Sequence, residues 1–582
     1  MAKLDDFKKL KYKLPENILA WRIFGKGMEN FGEDKNPSVL PLPEPKDDEL
    51  LVRSDAVGLC FSDTKIIKFG SDHPRIQGRD LKKDPVIPGH EVALTIVKAG
   101  KNWEKQYKPG DRYIIQADVY YKGKGTAYGY VLPGGLSQYG IISKEILDGD
   151  GGSYLIPLKN YNCCYSEVAL VEPWACVVAS YRIKHRDGIK DKGDLLVIKG
   201  DYPENKNWDF SKLFKNRAPK RVIIYNSDEN ITLTLKKSLT GKNSEIFPET
   251  KNGISDLAAK YGDNNAFDDI IILGEVDDEL LKEAGNSMNP YGILNYMVIS
   301  NDKQVVELDA GKIHYDRISF IGDTGNDVSA PYTKNLDYHF KGESMFLVGA
   351  GGPMGQMHVQ LAIESENPPK RIVITDISKD RINTLIEKFS KSAEDKNIAF
   401  TVLNPNDFLN PGELRNRILD LNNGHLFDYV VCLAAIPPVI EDAATYLGDK
   451  AVLNIFAGVS KGTIVKFNIK DVAVKSVRYI GSSGSEIEDM EYTLRKVEKG
   501  ELNTNNAVAG VSGMNDVWKG IEAVKNGTFP GKIVVYPHIK DLPLMHLKEL
   551  REKYPEIGQH LTKNGDWTRE AEAALLNKLL DI

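Results

Sequence analysis

Between residues 17 and 160 the apolar positions come in short runs separated by Gly and Pro turns. Residues 50–53, 92–97 and 112–115 are such runs, and their spacing predicts a small all-β barrel. Near Val168 the spacing turns helical, through the stretch VALVEPWACVVASYRIKH. From Leu195 to Ser485 strand-like apolar runs alternate with helical segments, the pattern of a parallel sheet with crossover helices. Beyond Ser485 come a polar helix, a Gly-rich stretch and an apolar strand at residues 532–536. The last forty residues predict amphipathic helices.

The α/β region contains a repeat. Residues 267–272 (FDDIII) resemble 427–432 (FDYVVC), 292–295 resemble 451–454, and 318–325 (ISFIGDTG) resemble 477–484 (VRYIGSSG), always 159 or 160 residues apart. Three matches in order and in register indicate a duplicated α/β unit. The copies differ after their first strand. The second runs from residues 345–348 into Gly349-Ala350-Gly351-Gly352-Pro353-Met354-Gly355, whereas the first runs from 195–198 into Lys199-Gly200-Asp201-Tyr202-Pro203-Glu204. Glycines let a backbone approach phosphates beside a helix N-terminus, and acids there repel them. The second copy is therefore expected to bind a dinucleotide and the first is not. The glycine loop is one residue longer than the usual spacing. The next strand ends in Asp376, a carboxylate that can accept the ribose hydroxyls and repel a 2′-phosphate, so NAD is expected over NADP.

A chain of 582 residues exceeds one core, and three or four domains are expected. A net charge of −6 gives no reason to expect nucleic acid or an acidic membrane as partner. No apolar run reaches the length of a spanning helix. Five scattered cysteines form no disulfide framework, and a cytoplasmic location is expected. The remaining chemistry sits in three short motifs: Cys60 with Ser62 and Asp63, His90 with Glu91, and Glu172 with Cys176. A thiolate, an imidazole and carboxylates suit a zinc ion with an open position. Each residue alone has an ordinary structural explanation, and their joint presence is what carries information. Cys163, Cys164, Cys176 and His314 are read as structural.

These motifs, GLCFSD, PGHE, EPWAC, the glycine loop and the Asp376 strand, occur in the order of the zinc-dependent medium-chain alcohol and polyol dehydrogenases, which the chain resembles over residues 17–198 and 344–540. The segments around His90, around residues 116–140 and around Glu172 are most similar to the L-sorbose-1-phosphate reductase and sorbitol dehydrogenase branch. The resemblance implies an α/β protein with a GroES-like β-rich catalytic domain, a Rossmann-type nucleotide domain, and zinc in the cleft between them. By position it implies zinc ligands at Cys60, His90 and Glu172, with Glu91 a ligand or a carboxylate that displaces the zinc water. It implies a proton-relaying Ser62, an Asp63 that orients His90, and ribose contact by Arg381.

Three departures matter. Residues 92–162 lack the cysteine quartet of a structural zinc, so one zinc per chain is expected. Lys65 stands where some relatives end the relay in histidine. Residues 199–340 are extra.

The domains expected are 1–193 with 486–540 (catalytic), 194–340 (degenerate Rossmann-like), 341–485 (NAD-binding, with Gly349, Gly351, Gly352, Gly355, Asp376 and Arg381 at the cofactor) and 541–582 (helical extension). The degenerate copy is expected to pack on the active one as a pseudo-dimer partner, through edge strands at 318–321 and 453–456. The expected function is zinc- and NAD-dependent interconversion of a secondary alcohol and ketone of a polyol, sugar or sugar phosphate, with Ser62 and Glu91 catalytic. A phosphate would find Arg75, Arg79, Lys82 and Lys83. Two alternatives stand beside it: a non-catalytic NAD-binding or redox-sensing protein, and an enzyme whose first copy binds a regulatory ligand. Homo-oligomerisation is left open.

Overall fold

The computed structural model describes residues 3–76, 78–249, 253–334, 342–482 and 484–582. Gln77, the Ser483 position of the repeat and the boundary placed between 340 and 341 lie outside the described residues. The chain forms two compact units, Met1–Val178 with Gly352–Met357 and Gly484–Ile582, and Ala179–Gly351 with His358–Ser483. No described helix is long and apolar enough to cross a membrane.

The first unit is built on an eight-stranded sheet in the order Met545–His546, Val508–Gly513, Lys532–Tyr536, Leu50–Gly58, Glu91–Ala99, Arg112–Ile115 and Leu155–Pro157, with Tyr139–Ile142 also pairing Leu50–Gly58. N- and C-terminal parts of the chain thus share one sheet. Leu50–Gly58 is buried at every position, and the charges it carries inward are paired. Arg53 Nε lies 2.6 Å from Asp55 Oδ1, and Arg53 Nη1 donates to the Phe7 carbonyl. Unpaired, such charges would not be tolerated in a core. The C-terminal helix Arg569–Leu579 belongs to this unit. Its Glu572 is buried and accepts the amides of Tyr165 (2.5 Å) and Ser166 (2.8 Å). It thereby satisfies the free N-terminal N–H groups of helix Tyr165–Ala169, the helix just before the one that bears Glu172.

The second unit holds two parallel six-stranded sheets. The first runs Glu245–Glu249, Arg221–Tyr225, Asp194–Lys199, Phe267–Leu273, Met288–Met297 and Ser319–Asp323. The second runs Ala399–Leu403, Arg371–Thr375, Ser344–Val348, Phe427–Cys432, Leu447–Ile455 and Arg478–Gly481. The order is the same doubly wound order in both. The duplication extends to irregularities, since each sheet has a register shift after its Phe-Asp pair, at Phe267/Asp269 and Phe427/Tyr429. Asp268 accepts the Asp194 amide at 3.0 Å, and Asp428 accepts the Ser344 amide at 2.9 Å, so the same carboxylate ties the first strand in each copy.

The two copies pair as expected, but one edge differs. Residues 453–456 lie largely in an inner strand, and the outer strand of the second sheet is Arg478–Gly481. The edges meet reciprocally. A Cβ on Gly322 would lie 2.8 Å from Ala473 Cβ, and one on Gly481 would lie 2.8 Å from His314 Cα. The two contacts map onto each other by the 159-residue offset, Gly322 onto Gly481 and His314 onto Ala473, the signature of a two-fold interface. Val305–Asp309 and Ile464–Asn468 add an antiparallel ribbon in which Glu307 faces Lys466, again 159 residues on. One apolar core runs through both copies, including Leu308, Phe320, Phe467 and Tyr479. Pairing covers two sheet edges that would otherwise be exposed.

Candidate metal centre and dinucleotide loop

The metal-site candidates sit where the first unit's central strands end. Gly58 closes the strand Leu50–Gly58, and Cys60 precedes helix Phe61–Phe69 at its N-cap. Asp63 Oδ2 accepts the Cys60 amide at 2.9 Å, which fixes the turn. Glu91 opens the neighbouring strand Glu91–Ala99, register-paired with Gly58, and His90 immediately precedes it. The ligand atoms of Cys60, His90 and Glu91 all lie within 4.8 Å of one another. A Cβ on Gly58 would fall 2.2 Å from Glu91 Oε2, so only glycine leaves room for that carboxylate.

The donor set fits a metal. Glu91 Oε2 is buried without a hydrogen-bond partner, a costly arrangement unless something else completes it. Ser62 Oγ donates to Cys60 Sγ at 3.0 Å and lies 3.2 Å from His90 Nε2. His90 Nε2 therefore faces the thiol, while Nδ1 stands 3.4 Å from Asp63 Oδ1. This is the arrangement in which a carboxylate sets a ligand histidine's tautomer. Burial alone would lower His90, but Asp63 and then Tyr130 outweigh it and hold the ring well above its ordinary range.

Glu172, on helix Val171–Ser180, stands outside the three-residue cluster. Its carboxylate is 3.9 Å from Cys176 Sγ. Burial raises it to about 7, with His90 and Lys532 pulling down and Glu91 pushing up. It is thus electrostatically coupled to the cluster without closing it. Lys532 was missed in the sequence. Its Nζ lies 2.5 Å from Glu91 Oε1, with both side chains buried. Burial would lower the ammonium, but Glu91 and Cys60 hold it above its usual value. A charged residue opening an apolar strand was the available signal.

The basic residues considered for a phosphate are mostly engaged. Arg79 binds Asp84 and the Val131 carbonyl, Lys83 lies 3.6 Å from Asp80, and Arg75 pairs with Asp118 at 2.6 Å while stacking on Tyr130.

In the second α/β copy, strand Ser344–Val348 leads through Gly349 to helix Pro353–Glu364, with Gly352 just before it and Gly355 in its first turn. Gly349 has a φ of 71°, which glycine adopts without strain. Asp376 is buried at its strand end, and its two oxygens accept the Gly351 amide at 2.8 Å and the Ser378 amide at 2.9 Å. The carboxylate braces the loop. A Cβ on Gly351 would lie 2.6 Å from Arg381 Cβ, which places Arg381 against the loop.

The first copy is built differently at this point. Residues 200–220 contain no helix, and Trp208, Phe210, Leu213 and Phe214 fill the space. Asp201 and Glu275 exchange backbone hydrogen bonds at 2.8 Å, closing the crevice between the strands where a dinucleotide would lie.

Residues 46–147 match the family model of the alcohol dehydrogenase GroES-like domain. The mannitol-1-phosphate 5-dehydrogenase of Aliivibrio fischeri is 24% identical over 92% of this chain and 93% of its own. The L-sorbose 1-phosphate reductase of Klebsiella pneumoniae is 26% identical over 54% of this chain and 76% of its own. The uncharacterized protein YggP of Escherichia coli is 30% identical over 52% of this chain and 73% of its own. The chain belongs to the zinc-type medium-chain alcohol and polyol dehydrogenase family. A solved alcohol dehydrogenase of Thermotoga maritima, 12% identical, superposes with a TM-score of 0.50 over 90% of this chain and 99% of its own, a likeness of fold. Zinc and NAD(P) are typical of this dehydrogenase family, and Cys60, His90 and Glu91 are the candidate metal site in this member.

Proposed function

We propose that this dehydrogenase interconverts a secondary alcohol and a ketone on a polyol or sugar phosphate, using one zinc per chain and NAD. The observation that carries the reading is the Cys60–His90–Glu91 cluster with its unpartnered Glu91 Oε2. Bound zinc supplies Lewis acidity at the substrate oxygen, and NAD supplies the hydride acceptor. Cys60 and His90 are assigned as ligands, with the third position taken by Glu91 or Glu172. Asp63 holds the His90 ring, and Lys532 holds one Glu91 oxygen and leaves the other to face the site. Ser62, half-buried beside both ligands, receives the alcohol proton and passes it toward solvent. In this reading residues 341–485 bind NAD and 194–340 are the degenerate copy. The phosphorylated substrate class rests on similarity to two relatives whose names state sugar or polyol phosphates.

The test is metal analysis joined to turnover on a panel of polyols and their phosphates. We expect one zinc per chain, lost in Cys60→Ser together with activity, by about 10²–10³-fold or more. Two tightly held zincs, or a metal-free Cys60→Ser that still turns over, would overturn the reading.

A further inference from the structure

The degenerate copy does more than cover an edge. Residues 457–463 of the second copy form the loop after strand Leu447–Ile455, at the sheet end where an open α/β sheet binds its ligand. They lie on the far side of the glycine-loop strand from Asp376, which in the NAD reading, with Asp376 at the adenosine ribose, is the side of the nicotinamide half. Within the loop, Val459 and Thr463 donate to Ala457 and Ser460. Much of what fixes the loop from outside comes from helix Ala310–Tyr315 of the degenerate copy and its N-cap Asp309. Asp309 Oδ2 accepts the Gly462 amide at 2.8 Å. The Ala310 amide donates to the Thr463 carbonyl at 2.9 Å. Lys461 Nζ reaches Asp316 at 2.5 Å. His314 Nδ1 lies 2.9 Å from the carbonyl of Ile455, the last residue of the strand that feeds the loop. Gly311 packs so closely that a Cβ would fall 2.3 Å from the Ser460 carbonyl oxygen and 2.5 Å from Lys461 N.

We propose that the degenerate copy positions the nicotinamide half of the dinucleotide by clamping residues 457–463 through Asp309, Gly311 and His314. These are positioning residues, acting through the loop. The proposal rests on the second copy being the NAD copy. The two-fold arrangement supplies an internal control. Lys470, the N-cap of helix Asp471–Val474 in the second copy, reaches the corresponding region of the first, pairing with Glu275 at 2.6 Å and donating to Ser300 Oγ at 2.7 Å. That mirror clamp holds a loop on the degenerate side.

The experiment titrates NADH and AMP into the full chain carrying Gly311→Ala, Asp309→Asn or Lys470→Met, with a melting curve for each. AMP reports the adenosine half alone. We expect Gly311→Ala to weaken NADH about tenfold, Asp309→Asn to weaken it less, and both to leave AMP within about twofold. Lys470→Met lowers the melting temperature and changes neither ligand. If Gly311→Ala does not fold, Asp309→Asn decides. Unchanged NADH affinity in a variant with lowered melting temperature, or equal loss of NADH and AMP, overturns the clamp. A wild type that binds neither ligand overturns the cofactor reading and the clamp with it.

Discussion

The two α/β copies share strand order, register shift and edge, yet only one runs from its first strand through a glycine loop into a helix. In the second copy the first strand passes through glycines straight into helix Pro353–Glu364. In the first the same connection has no helix, and Trp208, Phe210, Leu213 and Phe214 occupy its place. The features kept in both are those that build the sheet and its two-fold contact: Asp268 with Asp428, Gly322 with Gly481, Glu307 facing Lys466. The first copy keeps the surface that its partner needs and lacks the features that a dinucleotide needs. In the proposed reading, stability and ligand binding are carried by separable parts of one fold.

The sharpest way to break this comparison is to give each copy the same lesion. In Gly351→Ala the new methyl meets Arg381 Cβ at 2.6 Å and Asp376 Oδ2 at 2.7 Å, so the loop cannot hold its shape. NADH affinity should fall about 100-fold, near 3 kcal/mol. In Gly200→Ala the methyl meets the Glu275 carbonyl oxygen at 2.4 Å. That should cost about 1–3 kcal/mol of stability by overpacking and leave NADH affinity within about twofold. Equal cofactor loss in both would mean that the first copy also binds.

A smaller effect is expected at Asp376. Asp376→Ser removes an acceptor for the ribose, a brace on the Gly351 amide and a charge that repels a 2′-phosphate. NAD should weaken by about 1–3 kcal/mol and NADP should gain relative to it. Competition binding with the two cofactors measures the ratio, and a wild type that prefers NADP contradicts the assignment.

Both copies should also show an acid response, each through one buried histidine. Burial lowers His358 in the second copy to about 3, and burial with the Arg478 guanidinium lowers His185 beside the first to about 4. A histidine depressed in the folded state contributes stability that is complete above its unfolded value of about 6.5 and is lost as the pH falls toward the folded value. Each should cost about 1.4 kcal/mol per pH unit between pH 6.5 and its own folded value. Urea melts of wild type and His358→Gln from pH 6.5 to 4.5 measure the slope, which should be shallower in the variant. Equal slopes would show that His358 does not titrate in this way.

Much of this was legible in the sequence where the information is local. Cys60, Ser62 and Asp63 share one helical turn, the glycine loop joins a strand to its helix, and the repeat shows as apolar runs at a fixed offset. What was missed depends on strand order or on distant chain. Residues 453–456 read as an edge because nothing in their own pattern says that Arg478–Gly481 lies outside them. Lys532 meets Glu91 across 441 residues, and Glu572 caps Tyr165 across 407. The Asp376 brace was hidden differently: a carboxylate at a strand end reads as a ribose acceptor whether or not backbone amides already hold it.

The central claim, one cofactor site in a chain with two Rossmann-like copies, is tested most directly by counting. NADH titrated into zinc-loaded chain at concentrations well above its dissociation constant should reach its equivalence point at one per chain and show no saturable site in Gly351→Ala. An equivalence point of two, or one site that survives Gly351→Ala unchanged, would contradict it.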